Sequence, residues 1–185
     1  MTPREWIRIA WGILMVIWIA ASLFSKKTSR RQSSGSLYIH LALIVLAFAL
    51  LFGDYFQFPP FNIEVVPAIP WTGLALVVVG LSFCIWARFY LGSNWSGTVT
   101  VKKDHTLIRG GPYALVRHPI YSGMLLAMLG TALSNGELRG LLGFAIGVVD
   151  LKRKSMIEEG FMTEQFGSQY EAYRHEVKGL IPRIW

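Results

Sequence analysis

The sequence predicts an all-α integral membrane protein with about five transmembrane helices, the last two short and hairpin-like, and a cytoplasmic amphipathic helix at the C-terminus. Three observations predict this. The chain is 53% hydrophobic and only 16% charged, with a mean hydropathy of +0.43, which is too apolar for an ordinary soluble domain. Its apolar residues gather in runs of membrane-crossing length. Its basic residues gather in blocks beside those runs. Residues 1–185 are expected to form one membrane-embedded domain, with three spans in 1–91 and a polar, chemistry-bearing region in 92–185.

The same composition excludes other classes. A formal net charge of +7 invites nucleic acid as a partner, but the basic residues form no stripe with interleaved aromatics, so none is expected. Cys84 is the single cysteine. Neither an intramolecular disulfide nor a cysteine-rich metal site is therefore available, and no metal is expected.

Residues 7–24 are the first span. Arg4 and Arg8 before it, with Ala20 and Ala21 near its end, also fit a secretory signal peptide, but further apolar segments follow, so a retained span is expected. Residues 37–56 and 71–91 are the second and third spans, close to the roughly 20 helical residues that a hydrocarbon core requires. Residues 120–134 and 138–151 are shorter, about 22 Å each at the helical rise, and are separated by the turn-forming pair Asn135-Gly136. They make either two tilted spans or a hairpin that barely crosses. Both versions return the chain to its starting side.

Charge orients the bundle. The first connection carries Lys26, Lys27, Arg30 and Arg31, whereas residues 57–70 contain Glu64, four prolines and no Lys or Arg. The third connection carries Lys102, Lys103, Arg109 and Arg117, with Arg88 set to snorkel from the third span, and the tail opens with Lys152, Arg153 and Lys154. By the positive-inside rule the N-terminus is outside, while the first and third connections and the tail are cytoplasmic.

The tail continues the helical pattern. Phe161, Met162, Phe166, Tyr170, Tyr173 and Val177 largely recur at three- or four-residue intervals until Pro182. Such a helix lies on the membrane or closes over the third connection. Gly167 is its expected break, since glycine costs about 1 kcal/mol in a helix interior.

Between the third and fourth spans lies a polar, glycine-rich run from His105 to Gly123. Gly110-Gly111-Pro112 permits a tight turn, and the residue before Pro119 is biased away from helical geometry, so His118 should stand just outside a helix that Pro119 begins. The N–H groups of Ile120 and Tyr121 would then be free to attract a carboxylate or phosphate. Tyr113 and Tyr121 offer aromatic faces to a sulfonium or an adenine. Each piece also has a plain structural use, His118 as a cap and the tyrosines as interfacial anchors.

A second constellation spans residues 152–159. Lys154 and Glu158 share a helical face, either as a surface ion pair worth about 0.2 to 0.5 kcal/mol, or with Glu158 accepting from ligand hydroxyls or an ammonium while a basic residue one turn earlier holds a substrate anion. Spacing alone leaves both open.

Taken together, the elements His105-Thr106-Leu107-Ile108, Gly111-Pro112-Tyr113 and Arg117-His118-Pro119-Ile120-Tyr121-Ser122-Gly123, followed by Glu158-Glu159, the run 166–173 and Pro182, resemble the isoprenylcysteine carboxyl methyltransferase family and its prokaryotic membrane relatives. The resemblance covers the chain from about Leu91 onward. It implies a methyltransferase domain of membrane helices that uses S-adenosyl-L-methionine, releases S-adenosyl-L-homocysteine and methylates a carboxylate or thiol of a small lipophilic acceptor drawn from the bilayer. No protein partner is indicated.

Carried over by position, the family's cofactor contacts fall on His105, Thr106, Leu107, Ile108, Tyr113, His118, Pro119, Ile120, Tyr121 and Glu158. Its substrate-binding arginine falls on Lys154. Lysine keeps the charge but lacks the planar bidentate fork, and Arg153 is the neighbour that would substitute if the helix rotated. Three other readings share parts of the pattern: a phospholipid amine N-methyltransferase, an NADPH-dependent sterol-type reductase, and a non-catalytic membrane adaptor.

Overall fold

The computed structural model describes residues 1–23, 28–31, 33–53, 66–92, 95, 100–102 and 107–184. Lys26, Lys27, Lys103, His105, Thr106 and Glu64, and with it most of the second connection, lie outside them. Six α-helices are described: α1 (Pro3–Ser22), α2 (Ser34–Phe52), α3 (Ala68–Leu91), α4 (Pro119–Asn135), α5 (Leu138–Phe166) and α6 (Ser168–Glu176). The first three are long and apolar enough to cross a membrane. Their outer faces are greasy, with Ile13, Val16 and Ile19 of α1 and Val45 of α2 exposed, as lipid contact allows. This is an integral membrane protein.

Local chemistry sets the helix ends. Thr2 and Glu5 form a reciprocal capping box at the start of α1, and Ser33 accepts from the Ser36 N–H to start α2. Gly136, at φ 63°, turns α4 into α5, because glycine adopts the left-handed conformation without a Cβ penalty.

Close packing of small residues holds the centre. α3 packs most closely on α4, and α2 on α5. A Cβ on Gly80 would stand 2.5 Å from the Gly123 carbonyl, and one on Gly73 the same distance from the Gly130 carbonyl. Two glycine pairs, seven residues apart on each helix, let the backbones touch, as helix contacts inside membranes require. Around this contact, Ile7 and Leu14 of α1 join Val77, Leu81 and Ala127 in one buried cluster, while Ala47 and Leu51 of α2 join Met128 and Ala132 in another.

Three features differ from the sequence expectations. The segment expected to be the fifth span and the start of the tail form a single 29-residue helix, α5, since nothing between Leu138 and Phe166 interrupts good helix formers strongly enough; the break comes at Gly167, φ 50°, as expected. Arg88 does not snorkel to water. It is 3% exposed and donates to the carbonyls of Ala21 and Gly92, where α1 ends with unpaired acceptors. Finally, β1 (Thr28–Arg31) pairs antiparallel with β2 (Thr100–Lys102), a short ribbon in an otherwise helical fold. This ribbon hydrogen-bonds the first and third connections to each other.

Candidate functional site

The polar run folds as its glycines and prolines dictate. Gly110 and Gly111 lie against the Tyr90 ring so closely that a Cβ on either would collide with it, and Gly111 has φ 58°. A one-turn 3-10 helix, Gly111–Ala114, follows and buries Tyr113 beside Ala87 and Ile120. His118 is the N-cap of α4 with Pro119 in the first turn, but its side chain makes no capping bond. The imidazole is used elsewhere.

His118 stands between two carboxylates of α5. Its Nε2 lies 3.1 Å from Glu159 Oε1 and its Nδ1 3.4 Å from Glu158 Oε2. Its ring stacks on Tyr121, centroids 5.6 Å apart and planes 6° apart, and the Tyr121 hydroxyl donates to Glu158. Arg117 completes the cluster, its Nε and Nη2 donating to Glu159 Oε1 at 3.1 and 2.5 Å.

Charge in this cluster is mutually supported. Burial opposes the His118 imidazolium, but Glu158 and Glu159 outweigh it and raise the pKa above the usual histidine value. Burial likewise opposes ionised Glu158, yet the bond and charge of His118, with Lys154 and the Tyr121 hydroxyl, hold it below the usual carboxylate range. Glu159 goes down to about 2, against its burial, through His118 and Arg117.

The tail closes the cluster from below. The backbone N–H groups of Arg117 and His118 donate to the carbonyls of Lys178 and Gly179 at 2.8 and 3.0 Å, and Ser122 Oγ donates to the Leu180 carbonyl at 2.5 Å. The Tyr173 hydroxyl donates to the Tyr113 carbonyl at 2.5 Å. The tail thus closes over the connection, one of the two uses expected of it.

Beside the cluster lies a cavity of about 600 Å³. Leu107, Ile108, Tyr113, His118, Pro119, Ile120, Tyr121, Lys154 and Glu158 all line it, and Trp11, Trp18 and Phe48 form an apolar wall. Every cofactor position expected from the sequence within the described residues is thus on one cavity; His105 and Thr106 lie outside those residues. Lys154 is 8% exposed, with Nζ 5.5 Å from the Tyr121 ring centroid. It is not a surface residue. Arg153 instead donates to the carbonyl and hydroxyl of Ser36 at 3.2 and 2.7 Å, and is absent from the cavity lining.

Two further polar residues escaped the sequence reading. His40 of α2 lines the cavity, with Nδ1 2.6 Å from Asp150 Oδ2 and Nε2 3.3 Å from Lys154 Nζ. The available signal was their setting: each is an ionisable residue inside an apolar run, which is costly in a membrane and seldom idle.

Comparison with known proteins gives a consistent set of likenesses. The sequence model of the phospholipid methyltransferase family matches residues 69–169. The protein-S-isoprenylcysteine O-methyltransferase of Schizosaccharomyces pombe is 33% identical over 132 residues, 69% of this chain and 56% of that protein. Its Homo sapiens counterpart is 33% identical over 116 residues, 61% of this chain and 41% of that protein. The solved structure of a eukaryotic intramembrane Ras methyltransferase, an isoprenylcysteine carboxyl methyltransferase, aligns with a TM-score of 0.60 at 28% identity, covering 83% of this chain and 54% of that one. The chain spans about half the length of these relatives.

Proposed function

The chain belongs to the phospholipid methyltransferase family, and from that premise we propose that it transfers a methyl group from S-adenosyl-L-methionine to a carboxylate or thiol of a small lipophilic acceptor such as an isoprenylcysteine. One observation carries the reading: the Tyr121–Glu158–His118 cluster, the start of α4 and the buried Lys154 ammonium border the same cavity.

The residues present fit such a donor. A cavity of this volume is of ordinary ligand size. Glu158, kept ionised, can accept from ribose hydroxyls or an ammonium, the first-turn N–H groups of Ile120 and Tyr121 have no intrahelical acceptor and suit a carboxylate, and the Tyr113 and Tyr121 rings suit an adenine or a sulfonium. When bound, the donor supplies an electrophilic methyl group on sulfur.

The chain's own residues supply alignment and exclusion of water, which is most of what an in-line displacement asks of a protein. His118 and Tyr121 fix the Glu158 carboxylate. Lys154 holds the acceptor anion, and the wall of Trp11, Trp18 and Phe48 packs on its apolar part. An ionised carboxylate or thiolate needs no general base. We place the N-terminus outside and the site with the C-terminus in the cytoplasm, a reading supported by the β1–β2 ribbon, which joins the two basic connections. The acceptor then enters from the bilayer, free or as the lipidated end of a protein, and the donor from the cytoplasm.

A phospholipid amine acceptor is the second reading, favoured by the description of the family model; it would require removal of a proton first. The test is transfer of a radiolabelled methyl group in membranes containing the protein, with identification of the product, alongside calorimetric titration of S-adenosyl-L-homocysteine. A labelled methyl ester or thioether is expected. Labelled N-methyl lipid would favour the second reading, and binding of NADPH but not of S-adenosyl-L-homocysteine would overturn both.

A further inference from the structure

Lys154 does not enter the cavity alone. Asp150 lies one turn before it on α5 and is fully buried, and the His40 imidazole, reaching over from α2, bridges the two. A buried carboxylate 2.6 Å from Nδ1 acts as acceptor, so the ring proton sits on Nδ1. Nε2 is left with a lone pair facing Lys154 Nζ at 3.3 Å, where it accepts from the ammonium.

This arrangement answers a specific deficit. A guanidinium brings a rigid fork that orients itself on a carboxylate, whereas an ammonium is a point charge on a four-carbon stem with many rotamers. Lys154 needs external fixing to hold an acceptor in line for displacement. His40 provides it by accepting one of the ammonium's hydrogen bonds. Asp150 in turn fixes the tautomer and orientation of His40, as the outer carboxylate does in a histidine dyad. Its second oxygen, Oδ1, has no hydrogen-bond partner among the described residues, so its contact with His40 is the main return on an expensive burial.

We infer that His40 and Asp150 are positioning residues for the acceptor: they aim the Lys154 ammonium at the acceptor's anionic group, making α2 part of acceptor recognition. The inference rests on the reading in which Lys154 holds that anion. α2, which carries His40, lies outside the stretch matched by the family model, residues 69–169, whereas Asp150 and Lys154 lie within it.

The test uses the full chain in detergent or vesicles, with N-acetyl-S-farnesylcysteine as the acceptor and S-adenosyl-L-homocysteine as the donor-site probe. His40→Leu is expected to raise the acceptor KM about tenfold or more, the usual scale for losing a hydrogen bond to a charged group, while affinity for S-adenosyl-L-homocysteine stays within about twofold. His40→Gln keeps one donor and one acceptor and should recover most of the loss. An unchanged acceptor KM in His40→Leu, an equal loss of donor affinity, or failure of a folded His40→Gln to recover would overturn the inference.

Should His40→Leu not fold, Asp150→Asn decides. It keeps the shape and removes the charge, so the acceptor KM should rise severalfold with donor affinity unchanged, and an unaltered KM overturns the inference. A wild-type protein that binds S-adenosyl-L-homocysteine yet leaves this acceptor unmethylated removes the inference together with the proposed acceptor. One that binds no donor removes the methyltransferase reading itself.

Discussion

The Tyr121 hydroxyl donates to the Glu158 carboxylate across the gap between α4 and α5, joining the end of the polar run to a residue 37 positions later. With His118 and Lys154, the bond helps hold a carboxylate whose ionisation burial opposes. Glu158→Ala is therefore expected to weaken S-adenosyl-L-homocysteine binding by about tenfold or more, as for other charged hydrogen bonds. Tyr121→Phe should cost less, because the ring and its stack on His118 remain. Calorimetric titration of the two variants checks the order, and wild-type affinity in Glu158→Ala would show that this carboxylate does not face the donor.

Lys154 and Arg153 are adjacent in sequence but diverge in use. Lys154→Ala is expected to raise the KM for an anionic acceptor about tenfold, with a smaller loss of donor affinity because its charge also helps hold Glu158 ionised. Arg153→Ala, which releases the start of α2 at Ser36, should lower the unfolding temperature more than it alters the acceptor KM. Steady-state kinetics and thermal unfolding on the same preparations separate the two effects.

The cluster around His118 predicts a stability plateau. The folded-state pKa of His118 is raised, so its contribution is fully present below the ordinary value of 6.5 and is lost as pH rises through the higher folded value. Glu159 is depressed to about 2 from an ordinary 4.5, so its contribution is present above 4.5 and is lost as pH falls towards 2. Unfolding midpoints in detergent should be flattest between those two ordinary values, as far as this cluster contributes. His118→Gln should abolish the alkaline decline, and an identical pH profile in that variant would contradict the assignment.

Gly80→Leu is expected to destabilise the bundle by about 1–3 kcal/mol or more, the usual cost of overpacking, because its Cβ would meet the Gly123 carbonyl at 2.5 Å. Gly12→Leu on α1 meets nothing within 4 Å and should be tolerated. Thermal unfolding of the pair isolates the α3–α4 contact from the mere loss of a glycine.

Much of this was legible in the sequence because the relevant signals are local. Apolar runs gave the spans, Pro119 gave the start of α4 with His118 outside it, and Gly167 gave the break in the tail. The gathering of Tyr113, His118, Tyr121 and Glu158 was anticipated through a resemblance and not through periodicity, which cannot report how α5 faces α4. What remained hidden depends on partners far apart in sequence. Arg88 looks like a snorkelling residue until α1 presents its Ala21 carbonyl. His40 and Asp150, 110 positions apart, are two isolated oddities until α2 and α5 pack. Which of Lys154 and Arg153 faces the cavity depends on the rotation of α5, a property of the assembled bundle.

The uninterrupted run of α5 gives the site a ruler. Asp150, Lys154 and Glu158 follow at four-residue steps along one face, each about 6 Å further along the axis. The separation between the proposed acceptor anchor and the proposed donor-holding carboxylate is thus measured out by backbone hydrogen bonds instead of by loops. One residue inserted between Lys154 and Glu158 would swing the latter about 100° around the axis, off the cavity altogether. The spacing along this stretch is fixed by its length, whatever side chains it carries.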